Sequence, residues 1–341
     1  TAPQTVNGKF TVTATFTEAV NNFDNSDILL NNATIDNFSG SGNNYSFDVT
    51  PSSSGSVSVD INADVAQDSA TNNNIAATQL TREADLTLPI VTNITASTPT
   101  ISDSTTTFTL TVEYSEEMDI SVNPVITFEN TQNTITSPTG IWNNDNKTYV
   151  ATYSVNDVEE ELADIDVKVE NALDKAGNIQ DAFTSNDLFS IDNKNPTVTL
   201  TSVAPETVNG KFSVTATFTE AVTGFNSSGI LLNNATISNF VGSGANYSFD
   251  VTPQETGSGT IDINQDVAQD SATNNNIAAT QLTREADLIS PEVSSIIAST
   301  ETISDSTTTF TLSVEYSEEM DVSQNPSISF PTENPDNTIT F

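Results

Sequence analysis

The side chains of this sequence that could do chemistry are carboxylates and amides. Cys and His are both absent, which removes disulfides, thiolate nucleophiles, imidazole bases and zinc sites together. Oxygen chemistry is left: acid–base work by paired carboxylates, or the holding of a hard divalent cation by about six to eight oxygens at about 2.3–2.6 Å. The acids of interest recur in three groups. One is Asp85, then Glu116, Glu117 and Asp119, then Asp174. The next is Asp192 with Asn193 and Asn195, then Glu220, then Asp266 and Asp270. The last is Asp287 followed by Glu318, Glu319 and Asp321.

The catalytic reading of these acids is weak. Glu116 and Glu117 are adjacent at the end of a predicted strand, so they point to opposite faces and cannot flank one bond. An active site need not recur at a fixed period, whereas these groups do, so the chain does not read as an enzyme. Asp60 to Asp68 and Asp262 to Asp270 are acidic but lack the glycine and terminal glutamate spacing of an EF-hand loop.

Eight Lys and Arg against 46 Asp and Glu give a net charge of −38, and so negative a surface repels phosphate backbones and anionic lipids. Nucleic acid is excluded as a partner. The same charge serves solubility in a salty medium, or divalent-cation binding where the acids converge. Apolar residues alternate with Thr, Ser, Asn and Asp, with no run long enough to span a membrane, and direct membrane insertion is not expected. Thr1-Ala2-Pro3-Gln4 carries neither a basic start nor an apolar run, so export is expected to be encoded elsewhere and the natural N-terminus to lie upstream.

The elements that must position these acids come from an internal repeat. Thr5-Val6-Asn7-Gly8-Lys9-Phe10 returns as Thr207-Val208-Asn209-Gly210-Lys211-Phe212, an offset of 202 residues. The same offset relates Asp68-Ser69-Ala70-Thr71 to Asp270-Ser271-Ala272-Thr273 and Glu113-Tyr114-Ser115-Glu116-Glu117 to Glu315-Tyr316-Ser317-Glu318-Glu319. It slips to 204 where Asn133-Thr134-Ile135 matches Asn337-Thr338-Ile339. Each unit is itself two modules, A and B, because Pro89-Ile90-Val91 and Pro196-Thr197-Val198 open similar strand-rich patterns. Four domains are predicted: A over 1–87, without its first strand; B over 88–193; A again over 194–288; and a partial B over 289–341. Both ends read as cuts through a longer array.

Within the modules Phe212, Val214, Ala216 and Phe218 alternate with Ser213, Thr215, Thr217 and Thr219, and Phe108, Leu110, Val112 and Tyr114 behave likewise. Seven or so short strands in about 100 residues, broken by Asn-Gly, Gly-Ser-Gly and Pro, are the pattern of an immunoglobulin-like sandwich. The fold expected is all-β: tandem immunoglobulin-like β-sandwich domains in an elongated array. Trp142, in an Asn-rich loop, reads as a satellite packing residue, and Glu159, Glu160 and Glu161 as a solvated loop.

Three stretches resemble the bacterial Ig-like repeats of large surface adhesins and biofilm-associated proteins: Phe218-Thr219-Glu220-Ala221-Val222, Asp174-Lys175-Ala176-Gly177-Asn178 and the joint Ile191-Asp192-Asn193-Lys194-Asn195-Pro196-Thr197-Val198. The resemblance covers essentially the whole chain. It implies an extracellular, cell-surface spacer with calcium-dependent joints. Topology points the same way, because the B–C and F–G loops of such a sandwich lie at the end where the chain enters from the preceding domain. Each complete joint then gathers at least three carboxylates, whose mutual repulsion a Ca2+ ion would relieve. The expected partners are the neighbouring repeats of the same chain and, in an alternative reading, other copies in a filament built by strand addition to open sheet edges. A glycan or receptor site ranks last, since no cluster of exposed aromatics is evident.

Overall fold

The computed structural model describes residues 3–128 and 133–330. The repeat match at Asn337-Thr338-Ile339 lies outside them. The chain divides into two compact units, residues 1–196 with 269–276, and residues 197–268 with 277–341.

In the first unit, module B is the most complete sandwich. One sheet runs Ile135–Trp142, Thr148–Val155, Thr107–Tyr114, Val91–Ala96; the other runs Val125–Phe128, Glu161–Glu170, Phe183–Asp192, Thr100–Ile101. All neighbours are antiparallel except Thr100–Ile101, which pairs in parallel with Ser190 and Ile191. This arrangement of two facing Greek-key sheets is the immunoglobulin pattern. The alternation seen in sequence is the cause: Phe108, Leu110 and Val112 are each 0% exposed, and the residues between them face outward. Their apolar stripe packs against Ile165, Val167, Val169, Phe189 and Ile191 of the other sheet. Trp142 ends a strand and does not lie in a loop; its ring sits 5.5 Å from Tyr114 and 5.1 Å from Tyr149 at the edge of that core.

The first A module has one sheet of Thr5–Val6, Leu80–Ala84, Gly55–Ile61 and Ile28–Asn31, with Phe10–Val20 and Ala33–Pro51 forming the other. Its core is built on Phe47, Val49, Val57 and Phe23. Gly40-Ser41-Gly42, expected to break the strand, stays within Ala33–Pro51. The two glycines take positive φ, and a Cβ on Gly40 would lie 2.4 Å from the Asn44 carbonyl, so the chain turns there by a route that only glycine follows.

The second unit repeats this plan with Thr207–Val208, Leu282–Ala286, Gly257–Ile263 and Ile230–Asn233 facing Val198–Thr201, Phe212–Val222 and Ala235–Pro253. The extra strand Val198–Thr201 covers Phe212–Val222. Val293–Ala298 and Leu312–Tyr316 pair further on. No helix of the described residues is long and apolar enough to cross a membrane.

Candidate metal centre

The segment joining the first A module to B leaves its last strand at Ala84, and the backbone N–H of Asp85 donates to the Val6 carbonyl at 2.9 Å. This holds Asp85 against the loops that follow Thr107–Tyr114 and Glu161–Glu170. The first loop carries Glu116; the second folds into a tight turn on Asp174. One carboxylate oxygen each from Asp85, Glu116 and Asp174 lies within 4.8 Å of the others. Oxygens on opposite sides of one calcium ion are at most about 4.6–5.2 Å apart, twice the usual ligand distance, so the trio is spaced to share an ion.

Electrostatics agree with the geometry. Asp174 is 1% exposed. Burial raises the Glu116 carboxyl above its ordinary range, and the negative charges of Asp85 and Asp174 push it the same way, with Lys147 opposing. Both Asp174 oxygens accept bonds from Asn178, Oδ1 from the backbone N–H at 2.8 Å and Oδ2 from the side-chain amide at 2.7 Å. Each oxygen has a second lone pair left for a cation. The donor set is hard oxygen throughout, and three carboxylates crowded together are what a divalent cation stabilises; the residues fit Ca2+.

Other expected ligands go elsewhere. Glu117 turns outward and pairs with Lys175. Asp119 caps its own turn, accepting from the backbone N–H of Ser121 at 2.9 Å and its hydroxyl at 2.7 Å.

At the next joint Asp192 and Asp270 belong to the first unit. Burial, then the charge of Asp270, raises the Asp192 carboxyl. Asn193 is 0% exposed, but its amide is already used: its Oδ1 accepts from the Glu160 N–H at 2.6 Å and its Nδ2 donates to the Asn156 carbonyl at 3.1 Å. Asn195 places a buried Oδ1 with no hydrogen-bond partner at this joint, and its N–H donates to Glu159 at 3.1 Å. The run Glu159 to Glu161 thus touches the joint: Glu161 also lies 3.7 Å from Lys194. Glu220 is half-buried near the end of Phe212–Val222 in the second unit, and Asp266 is exposed in a turn at φ 62°. Asp287, Glu318, Glu319 and Asp321 line one recess of about 560 Å³ in the second unit; Asp321 is diverted to cap the turn at Ser323.

Sequence reading missed Asn178 and Asn274. Asn178 donates from Nδ2 to the Asp85 carbonyl at 2.9 Å, and Asn274 donates to the Asp192 carbonyl at 2.8 Å. Each is also bonded through backbone and side chain to an Asp four residues earlier. Asp68 and Asn72 make the same turn. The signal was therefore present as a thrice-repeated Asp-x-x-x-Asn.

A family model of the bacterial Ig-like domain matches residues 2–84 and 192–286. The chain belongs to this family. Both bacterial Ig-like matches fall on A modules. No curated protein matches the chain in sequence. Two solved structures are similar to it. The crystal structure of the N-terminal part of the bacterial S-layer protein SbsC shares 15% identity over 59% of this chain and 44% of that one, with a TM-score of 0.21. The structure of surface layer protein SbsC, domains 1–6, shares 13% over 86% and 54%, with a TM-score of 0.25. The chain thus spans about half the length of each, and at these scores neither likeness bears on function.

Proposed function

We propose that this chain is an extracellular structural region of a repetitive bacterial surface adhesin or filament, in which tandem sandwiches act as a spacer and Ca2+ stiffens the joints. Membership of the bacterial Ig-like family supports the structural, cell-surface part of this reading. The observation that carries the calcium part is the meeting of Asp85, Glu116 and Asp174, from three separate stretches of sequence, within 4.8 Å. An ion there ties the joint segment to two loops of the following domain, and the hinge between them loses its freedom. The function is then length and stiffness, with no substrate and no catalytic step.

Calorimetric titration of CaCl2 into the full chain tests this reading. Binding is expected in the wild type, and loss of a site is expected in the variant carrying Glu116→Gln and Asp174→Asn. Absence of binding heat, together with melting that is the same in CaCl2 and in EDTA, would overturn the calcium claim.

A further inference from the structure

In the second unit Val198–Thr201 lies antiparallel on Phe212–Val222, with Val198 opposite Phe218, Thr199 opposite Thr217, Leu200 opposite Ala216 and Thr201 opposite Thr215. Val198 and Leu200 are 6% and 8% exposed, and Val214, Ala216 and Phe218 beside them are 0%, 0% and 2% exposed. The corresponding strand of the first module, Phe10–Val20, pairs on one side only, with Ala33–Pro51. Beside it runs a groove of about 650 Å³ lined by Val12, Ala14, Phe16, Phe47, Ile61 and Leu80 among others. Val12, Phe16 and Ile61 are only half-buried there, whereas their counterparts Val214, Phe218 and Ile263 are buried.

We propose that this groove is a receptor for an extended strand of the Thr197–Thr201 type. The occupant presents two apolar side chains, Val then Leu, separated by an outward Thr. It runs antiparallel to Phe10–Val20, opposite Phe16, Thr15, Ala14 and Thr13. The argument is internal to the molecule: the same floor residues, 202 positions later, are covered by that strand in that register. The open edge offers unpaired N–H and C=O groups for the backbone, and the groove takes the alternate side chains, which is how strand addition combines affinity with selectivity. The proposal does not depend on calcium.

The sequence has no Cys, so an engineered disulfide reads the register without background. The full chain carrying the exposed substitution Thr15→Cys is mixed, under oxidised glutathione, with a synthetic peptide of residues 195–203 carrying Thr199→Cys. Directly opposed residues on antiparallel strands lie within disulfide reach. Rapid cross-linking is expected, at least about tenfold faster than to a Thr11→Cys chain, whose position faces no residue of the docked strand. Adding Val198→Asp and Leu200→Asp to the peptide is expected to weaken binding of a fluorescent version to the unmodified chain by at least about tenfold, from the lost burial of two side chains. Equal rates at Thr15→Cys and Thr11→Cys, or a Thr15→Cys chain that links to a second copy of itself in preference to the peptide, would overturn the proposal.

Discussion

Replacing Asn178 by Ala isolates the joint clamp from any ion. The substitution keeps the backbone N–H that donates to Asp174 Oδ1, but deletes two side-chain bonds, to Asp174 Oδ2 at 2.7 Å and to the Asp85 carbonyl at 2.9 Å. The first is charge-assisted and contributes about 1.5–3 kcal/mol; the second is neutral and contributes about 0.5–1.5 kcal/mol. Asp174 is 1% exposed, so water cannot readily replace the lost donor. The expected destabilisation is about 2–4 kcal/mol. Trp142 is the only tryptophan and packs on the core of module B, so its fluorescence reports unfolding of that sandwich alone within a multidomain chain. With a urea m-value of about 2 kcal/mol/M, the midpoint in EDTA is expected to fall by about 1–2 M. A fall of under about 0.3 M would refute the reasoning, since it would mean that neither bond survives in solution.

Four further outcomes are expected. Phe108→Ala empties a site that is 0% exposed and lies 4.6 Å from the Phe189 ring; a loss of about 3–5 kcal/mol is expected in the same fluorescence assay. Lys175→Ala removes an exposed pair with Glu117 and is expected to move the midpoint by less than about 1 kcal/mol. Asp48 and Asp250 are held down to about 2, first by the amides of Asn37 and Asn239, then by Thr11 and Ser213 hydroxyls and by Lys9 and Lys211. Their folded values lie below their unfolded ones, so the stability they add is complete above about pH 4 and lost as pH falls toward 2; Asp48→Asn with Asp250→Asn should flatten the acid limb of melting temperature against pH. Gly242→Ala puts a Cβ 2.4 Å from the Asn246 carbonyl at a φ of 142°, and a loss of at least about 2 kcal/mol is expected by calorimetry.

What sequence could reveal here follows from what each interaction depends on. Strands and cores were legible because alternation is a local property: the stripe Phe108, Leu110, Val112 and Tyr114 is buried as its spacing requires. The candidate site was legible only in outline. Topology brought Asp85, Glu116 and Asp174 to one end of the sandwich, but the separate fates of Glu116 and Glu117 depend on a bend after Tyr114 that alternation does not describe. Asn193 was expected as a ligand because it neighbours Asp192, and its burial against Glu160 and Asn156 depends on a tertiary contact without a local pattern. Asn178 and Asn274 were passed over because amides abound in this composition, although their constant spacing after Asp174 and Asp270 marks them out.

Small-angle scattering of the full chain in CaCl2 and in EDTA tests the central claim most directly. A calcium-stiffened spacer predicts a longer maximum dimension and a narrower distance distribution in calcium, reversed by EDTA and abolished by Glu116→Gln with Asp174→Asn. Profiles that superimpose in the two conditions would contradict it.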